Sequence, residues 1–181
     1  MRTGTKSILF GYHSVFIHPF FVALAWWKLN GFPWDPRLWL SFLLHDIGYL
    51  GKAKMDDSIG ASHPELGAKI MSIFGKDWYY FNLLHSRFYA DTLGMNYSAL
   101  CTSDKLAFLF YPDWLIWILC KLSGEAAEYT EMSAARGYAI DNTSRFSSTI
   151  KGLKIQTRKW LAEHEAGKGR DFAREISKRE S

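Results

Sequence analysis

An imidazole and a carboxylate placed side by side at the end of an apolar segment narrow what this chain can fold into: His45-Asp46 follows Leu40-Ser41-Phe42-Leu43-Leu44. Adjacent helical residues project about 100° apart, so both side chains reach an ion lodged between their helix and its neighbours. A carboxylate left unpaired on such a face is costly, and Asp46 therefore requires a cation, a hydrogen-bond partner or a raised pKa. Taken alone, the pair also fits a plainer reading in which Asp46 caps a loop and His45 is a satisfied core histidine.

The same conflict recurs along the chain. His18, His63, His85 and Asp104 also fall in segments read as helical, among large apolar residues. His18 shares a face with Val22 and Ala25, His85 with Trp78 and Phe81, and Asp104 with Leu100 and Phe108. Six inward polar groups need one another, and gathering them at an ion explains their burial more economically than six separate exceptions. Mixed imidazole and carboxylate ligation suits one or two divalent transition-metal ions (Mn²⁺, Fe²⁺, Co²⁺, Ni²⁺ or Zn²⁺) better than Ca²⁺.

Strand signals are scarce and capped apolar segments at three-to-four spacing recur, which predicts an all-α bundle of about six or seven helices. A first helix is expected from His18 to Leu29, closed by Asn30-Gly31. Asp35-Pro36 opens a second, with an N-cap carboxylate ahead of proline at the first helical position. Ser62 and Glu65 form a capping box that sets His63 in the first turn of a third. A fourth spans Asp77 to Tyr89, and a fifth carries Asp104 until Pro112 breaks it. An aromatic helix from Asp113 to Leu122, another from Glu125 to Arg136 and a last one from Ser148 to His164 follow, eight candidate segments for those six or seven helices. Residues 1–164 read as one domain, and 165–181 as a mixed-charge tail.

The order H…HD…H…H…D resembles the HD-domain metal-dependent phosphohydrolase superfamily over residues 12–125. It is carried by His18-Pro-Phe-Phe-Val-Ala, Leu43-Leu-His-Asp-Ile-Gly48, His63-Pro-Glu-Leu-Gly-Ala68, Leu83-Leu-His85 and Ser103-Asp-Lys-Leu106. The resemblance implies a helical HD-type bundle in which His18, His45, Asp46 and Asp104 hold a first metal. His63 and His85 would add a second, with Asp46 bridging. Where the family often has lysine directly after His-Asp-Ile-Gly this chain has Tyr49, and Lys52 or Lys54 is the stand-in. The Gly-Tyr-Pro signature of cyclic-di-nucleotide phosphodiesterases is absent, as is the Glu-Asp pair of guanosine tetraphosphate hydrolases.

The function this implies is hydrolysis of a phosphate ester or anhydride on a small nucleotide, first of all a deoxynucleoside mono- or triphosphate. Asp46 would orient the attacking water, while Lys52, Arg87 and Lys105 neutralise phosphate charge. A phosphodiesterase acting on cyclic or short oligonucleotides, and a non-catalytic nucleotide or nucleic-acid binding module, are the rival readings.

Charge bears on that last rival. The net +4 belongs to residues 151–181, which carry nine Lys or Arg against five Asp or Glu, while residues 1–150 hold 13 of each sign. The apolar stretches Ser7 to Trp27 and Leu106 to Leu119 are interrupted by His13, His18 and Pro19 and by Pro112 and Asp113, so neither is expected to span a membrane. No signal-peptide cleavage pattern follows Arg2 and Lys6, and Cys101 and Cys120 form no CxxC, so the expected setting is cytoplasmic. Aromatic residues make up 17% of the chain. Trp26, Trp27, Trp114 and Trp117 read as core or dimer contacts, favouring a homo-oligomer. His13, Asp56-Asp57 and Cys101 take structural readings: an ordinary histidine, a solvated turn and a core thiol.

Overall fold

The computed structural model describes residues 1–55, 59–138 and 146–164. Asp56-Asp57 and the tail lie outside them. Among the described residues there are ten α-helices, more than the six or seven expected, and no strand. The first, α1 (Thr3–Phe10), was not foreseen. It precedes α2 (His18–Asn30) and α3 (Pro36–Leu44), the latter capped by Asp35, whose carboxylate accepts from the Arg37 backbone N–H at 2.8 Å. Then come α4 (Pro64–Met71), α5 (Lys76–Leu83), α6 (Arg87–Leu93), α7 (Ala99–Phe110), α8 (Asp113–Ser123), α9 (Glu125–Ala135) and α10 (Phe146–His164).

Two of the expected helices change at the site. The Ser62 capping box does not form: α4 begins at Pro64, the Ser62 hydroxyl donates to the Ile59 carbonyl, and His63 occupies the N-cap position. The segment from Asp77 to Tyr89 is not one helix but α5 and α6, and His85 sits in the break between them. His85 therefore does not share a helical face with Trp78 and Phe81.

The helices α2 and α7 lie along each other at the centre. Val22, Trp26, Phe42, Met71, Phe81 and Leu100 build one core around them, and Tyr12, Tyr111, Ile116, Leu119 and Ile150 build a second beneath α8 and α10. The His45 turn and the His63 turn are drawn together by close backbone approach. A Cβ at Gly48 would overlap the His63 carbonyl, and one at Gly67 would overlap that of Leu44. No single helix among the described residues is long and apolar enough to cross a membrane.

Candidate metal centre

Three of the imidazoles are aimed by one local device. The Nδ1 atoms of His45, His63 and His85 donate to the carbonyls of Phe42, Gly60 and Asn82, each three residues upstream, at 2.9, 2.9 and 2.5 Å. A neutral ring that donates through Nδ1 has its lone pair on Nε2, the state in which histidine ligates metals. His63 is also stacked on Tyr49, with ring centroids 4.1 Å apart and planes at 9°. His18, the first residue of α2, has Nδ1 3.4 Å from the Tyr111 hydroxyl.

The Nε2 atoms converge on Asp46. Its Oδ2 lies 3.1 Å from His45 and 3.6 Å from His18, and its Oδ1 lies 3.4 Å from His63 and 3.5 Å from His85. Asp104 Oδ1, from the middle of α7, is 3.0 Å from His18 Nε2 and 3.9 Å from His45 Nε2. Two ligand sets result, with donor atoms mutually within 4.8 Å: His18, His45, Asp46 and Asp104, and then Asp46, His63 and His85. All six residues picked out from the sequence thus meet at one point, with Asp46 common to both sets.

Electrostatics put most of these groups in ligating form. Burial alone would raise both carboxylates, but the His45 and His13 charges hold Asp46, and the Lys105 ammonium with the His18 hydrogen bond holds Asp104, well below the usual carboxylate range. Burial keeps the pKa of His18 lowered and that of His63 well below its ordinary value, so both are neutral at pH 7. His45 is the exception. Burial lowers its pKa, but the adjacent Asp46 charge outweighs that and raises it, so an entering cation would displace a proton there.

The residues fit a divalent cation on two counts. His45 Nε2 and Asp46 Oδ2 are buried 3.1 Å apart, yet neither makes a hydrogen bond to a described residue. His63 Nε2 and His85 Nε2 face each other at 3.1 Å although both rings have committed Nδ1 to carbonyls. In neutral rings these are two facing lone pairs, an arrangement that a shared cation would turn into ligation.

The second set opens onto a cleft of about 250 Å³ that continues into one of about 400 Å³, and Arg87, Lys105 and Arg136 line both. Lys105 Nζ donates to Asp104 Oδ2 at 2.6 Å. Arg87 stands 5.8 Å over the Trp160 ring. Lys52 is elsewhere: its ammonium donates to the Ile59 carbonyl and the Ser62 hydroxyl, both at 2.6 Å, and it lines neither cleft. Lys52 was expected at phosphate and Lys54 as its stand-in; Lys54 is likewise exposed and outside both clefts. Arg136, at the end of α9, lines both clefts and was not among the cations picked out from the sequence.

Sequence reading also missed a buried network beside the metal set. Glu125 is 0% exposed and accepts from the Ser7 hydroxyl at 2.8 Å, the Tyr12 backbone N–H at 3.0 Å and the Ser123 hydroxyl at 2.5 Å. His13 Nδ1 donates to it at 3.0 Å. Burial would lower the His13 pKa, but the Asp46 charge and the Glu125 hydrogen bond raise it to about 9. With Nδ1 held by Glu125, Nε2 has no hydrogen bond to a described residue, and His13 lines both clefts. Nothing local in the sequence signals this pair, because the partners are 112 positions apart. Cys101, by contrast, is a core thiol as expected, fully buried with its pKa pushed up to about 12 by burial.

Compared with known proteins, the chain matches no family model, no curated protein and no solved structure.

Proposed function

We propose that the protein is a metal-dependent phosphohydrolase of the HD type, acting on the phosphate ester or anhydride of a small nucleotide, with deoxynucleoside mono- or triphosphates as the first substrates to try. The observation that carries the reading is a buried carboxylate, Asp46, shared by two ligand sets of imidazoles and carboxylates, the second of which opens onto a cleft lined by Arg87, Lys105 and Arg136. The order of those ligands along the chain resembles the HD pattern. Bound there, divalent cations supply Lewis acidity, withdrawing charge from a phosphoryl oxygen and acidifying water toward a pKa of about 7.

The remaining work falls to side chains. Arg87 and Arg136 offer forked donors to phosphate oxygens, and Lys105 a point charge. Asp46, facing both ligand sets, would orient the attacking water between them. His13 Nε2 gives its proton to the leaving oxygen as the P–O bond breaks, and Glu125, bonded to Nδ1, holds the ring in orientation. The proton lost by the attacking water reaches solvent, and the imidazole is reprotonated from solvent, so each turnover consumes one water and leaves His13 unchanged.

The test is metal analysis followed by phosphate or nucleoside release from mono-, tri- and cyclic nucleotides with Mn²⁺, Co²⁺ or Zn²⁺ added. Asp46→Ala is expected to abolish release while the helical circular dichroism stays intact, because it removes a buried charge along with the ligand. A wild-type protein that carries no metal and cleaves nothing on the panel overturns the reading. Release confined to cyclic substrates selects the phosphodiesterase alternative.

A further inference from the structure

On α8 the exposed face is as apolar as the buried one. Ile116, Leu119 and Cys120 enter the core, while Trp114 (64% exposed), Trp117, Ile118 and Leu122 form a stripe at helical spacing on the outside. A helix apolar all round is ordinarily covered on every side. Over the same core, the start of α2 adds two more exposed rings. Phe16 and Phe20 are 78% and 66% exposed, and their neighbours Ile17 and Phe21 pack with Leu115 against the same core. Phe21 stacks on Tyr111, just ahead of α8, at 3.8 Å.

Charge says what covers it. Residues 1–34 contain Arg2, Lys6 and Lys28 and no Asp or Glu. On α8 the one acidic residue, Asp113, is paired with Lys154 at 2.5 Å, while Lys121 lies within the stripe, 5.8 Å over the Trp117 ring. Protein interfaces are enriched in aromatic residues but depleted in lysine. Aromatic rings together with lysines whose stems lie along apolar surface are the composition of the bilayer interface, where the ammonium reaches anionic headgroups.

We infer that the face formed by Phe16, Phe20, Trp114, Trp117, Ile118 and Leu122 seats the protein on the surface of an anionic bilayer, with α8 lying in the plane of the headgroups. The inference stands apart from the hydrolase reading, since none of these side chains belongs to the metal sets.

Co-sedimentation of the full chain with phosphatidylcholine vesicles, with and without phosphatidylglycerol, tests it. The wild type is expected to pellet with the anionic vesicles and less with the zwitterionic ones, and added salt should weaken the binding. The double variant Trp114→Ser/Trp117→Ser should bind about tenfold more weakly or worse, and Lys28→Glu/Lys121→Glu should lose the preference for phosphatidylglycerol. Both pairs are on the surface, so an unchanged melting temperature establishes that they fold. Wild type remaining in the supernatant, or the tryptophan variant binding as the wild type does, overturns the inference. So does sedimentation velocity showing a stable dimer that the tryptophan variant dissociates, because a second copy then occupies the face.

Discussion

Without the Asp46 carboxylate, four imidazoles lose their common partner, since the Nε2 atoms of His18, His45, His63 and His85 all lie between 3.1 and 3.6 Å from its oxygens. The six residues of the candidate cluster could be picked out in the sequence because each is an ionisable residue among apolar ones, a conflict that needs a cause. His13 and Glu125 were not legible in that way. Glutamate at the start of a helix and histidine in a linker are both ordinary, and only the packing of α1 against α8 brings them to 3.0 Å. Their roles separate by leaving group. His13→Gln is expected to slow hydrolysis of a nucleoside monophosphate by about 10²–10⁴, and to affect a nitrophenyl phosphate far less, because that leaving oxygen departs without a proton. Glu125→Gln should show the same asymmetry in kcat, more weakly. An equal loss on both substrates would make His13 a packing residue.

Elements position the ligands through their ends more than through their faces. His45 follows α3, His63 precedes α4 and His85 lies between α5 and α6, so three of the four imidazoles in the cluster sit where helices stop. Periodicity found most of the helices, though not α1, and misplaced these ends. The Ser62-x-x-Glu65 pattern looks like a capping box, yet the Ser62 hydroxyl is taken by Ile59 and Lys52. The break that frees His85 has no proline to announce it. The Asp35-Pro36 start, by contrast, was readable because its cap is local, closed by the Arg37 N–H two residues on. The two kinds of end predict different mutants. Asp35→Ala should cost about 0.5–2 kcal/mol of stability with metal content unchanged. Gly48→Ala forces a methyl into the His63 carbonyl and should cost about 1–3 kcal/mol, while also weakening the set formed by Asp46, His63 and His85. Denaturant unfolding paired with metal analysis distinguishes them, and Gly48→Ala retaining full metal would contradict the placement of His63.

At the scale of the whole molecule, the central α2–α7 pair supplies His18 and Asp104 to the candidate metal cluster, while α8 and the start of α2 carry exposed aromatic residues. The high aromatic content was plain in the sequence, but its distribution was not. Trp26 is buried as a core residue should be, whereas Trp27, Trp114 and Trp117 are exposed, a division fixed by which helix faces find neighbours. The account depends most on the shared carboxylate, and metal stoichiometry tests it directly. Protein stripped with a chelator, saturated with Mn²⁺, Co²⁺ or Zn²⁺ and desalted should retain two ions per chain. His63→Ala/His85→Ala should retain one, and Asp46→Ala none. A wild type that retains no ion of any kind, or an Asp46→Ala variant that retains as many as the wild type, would contradict the account.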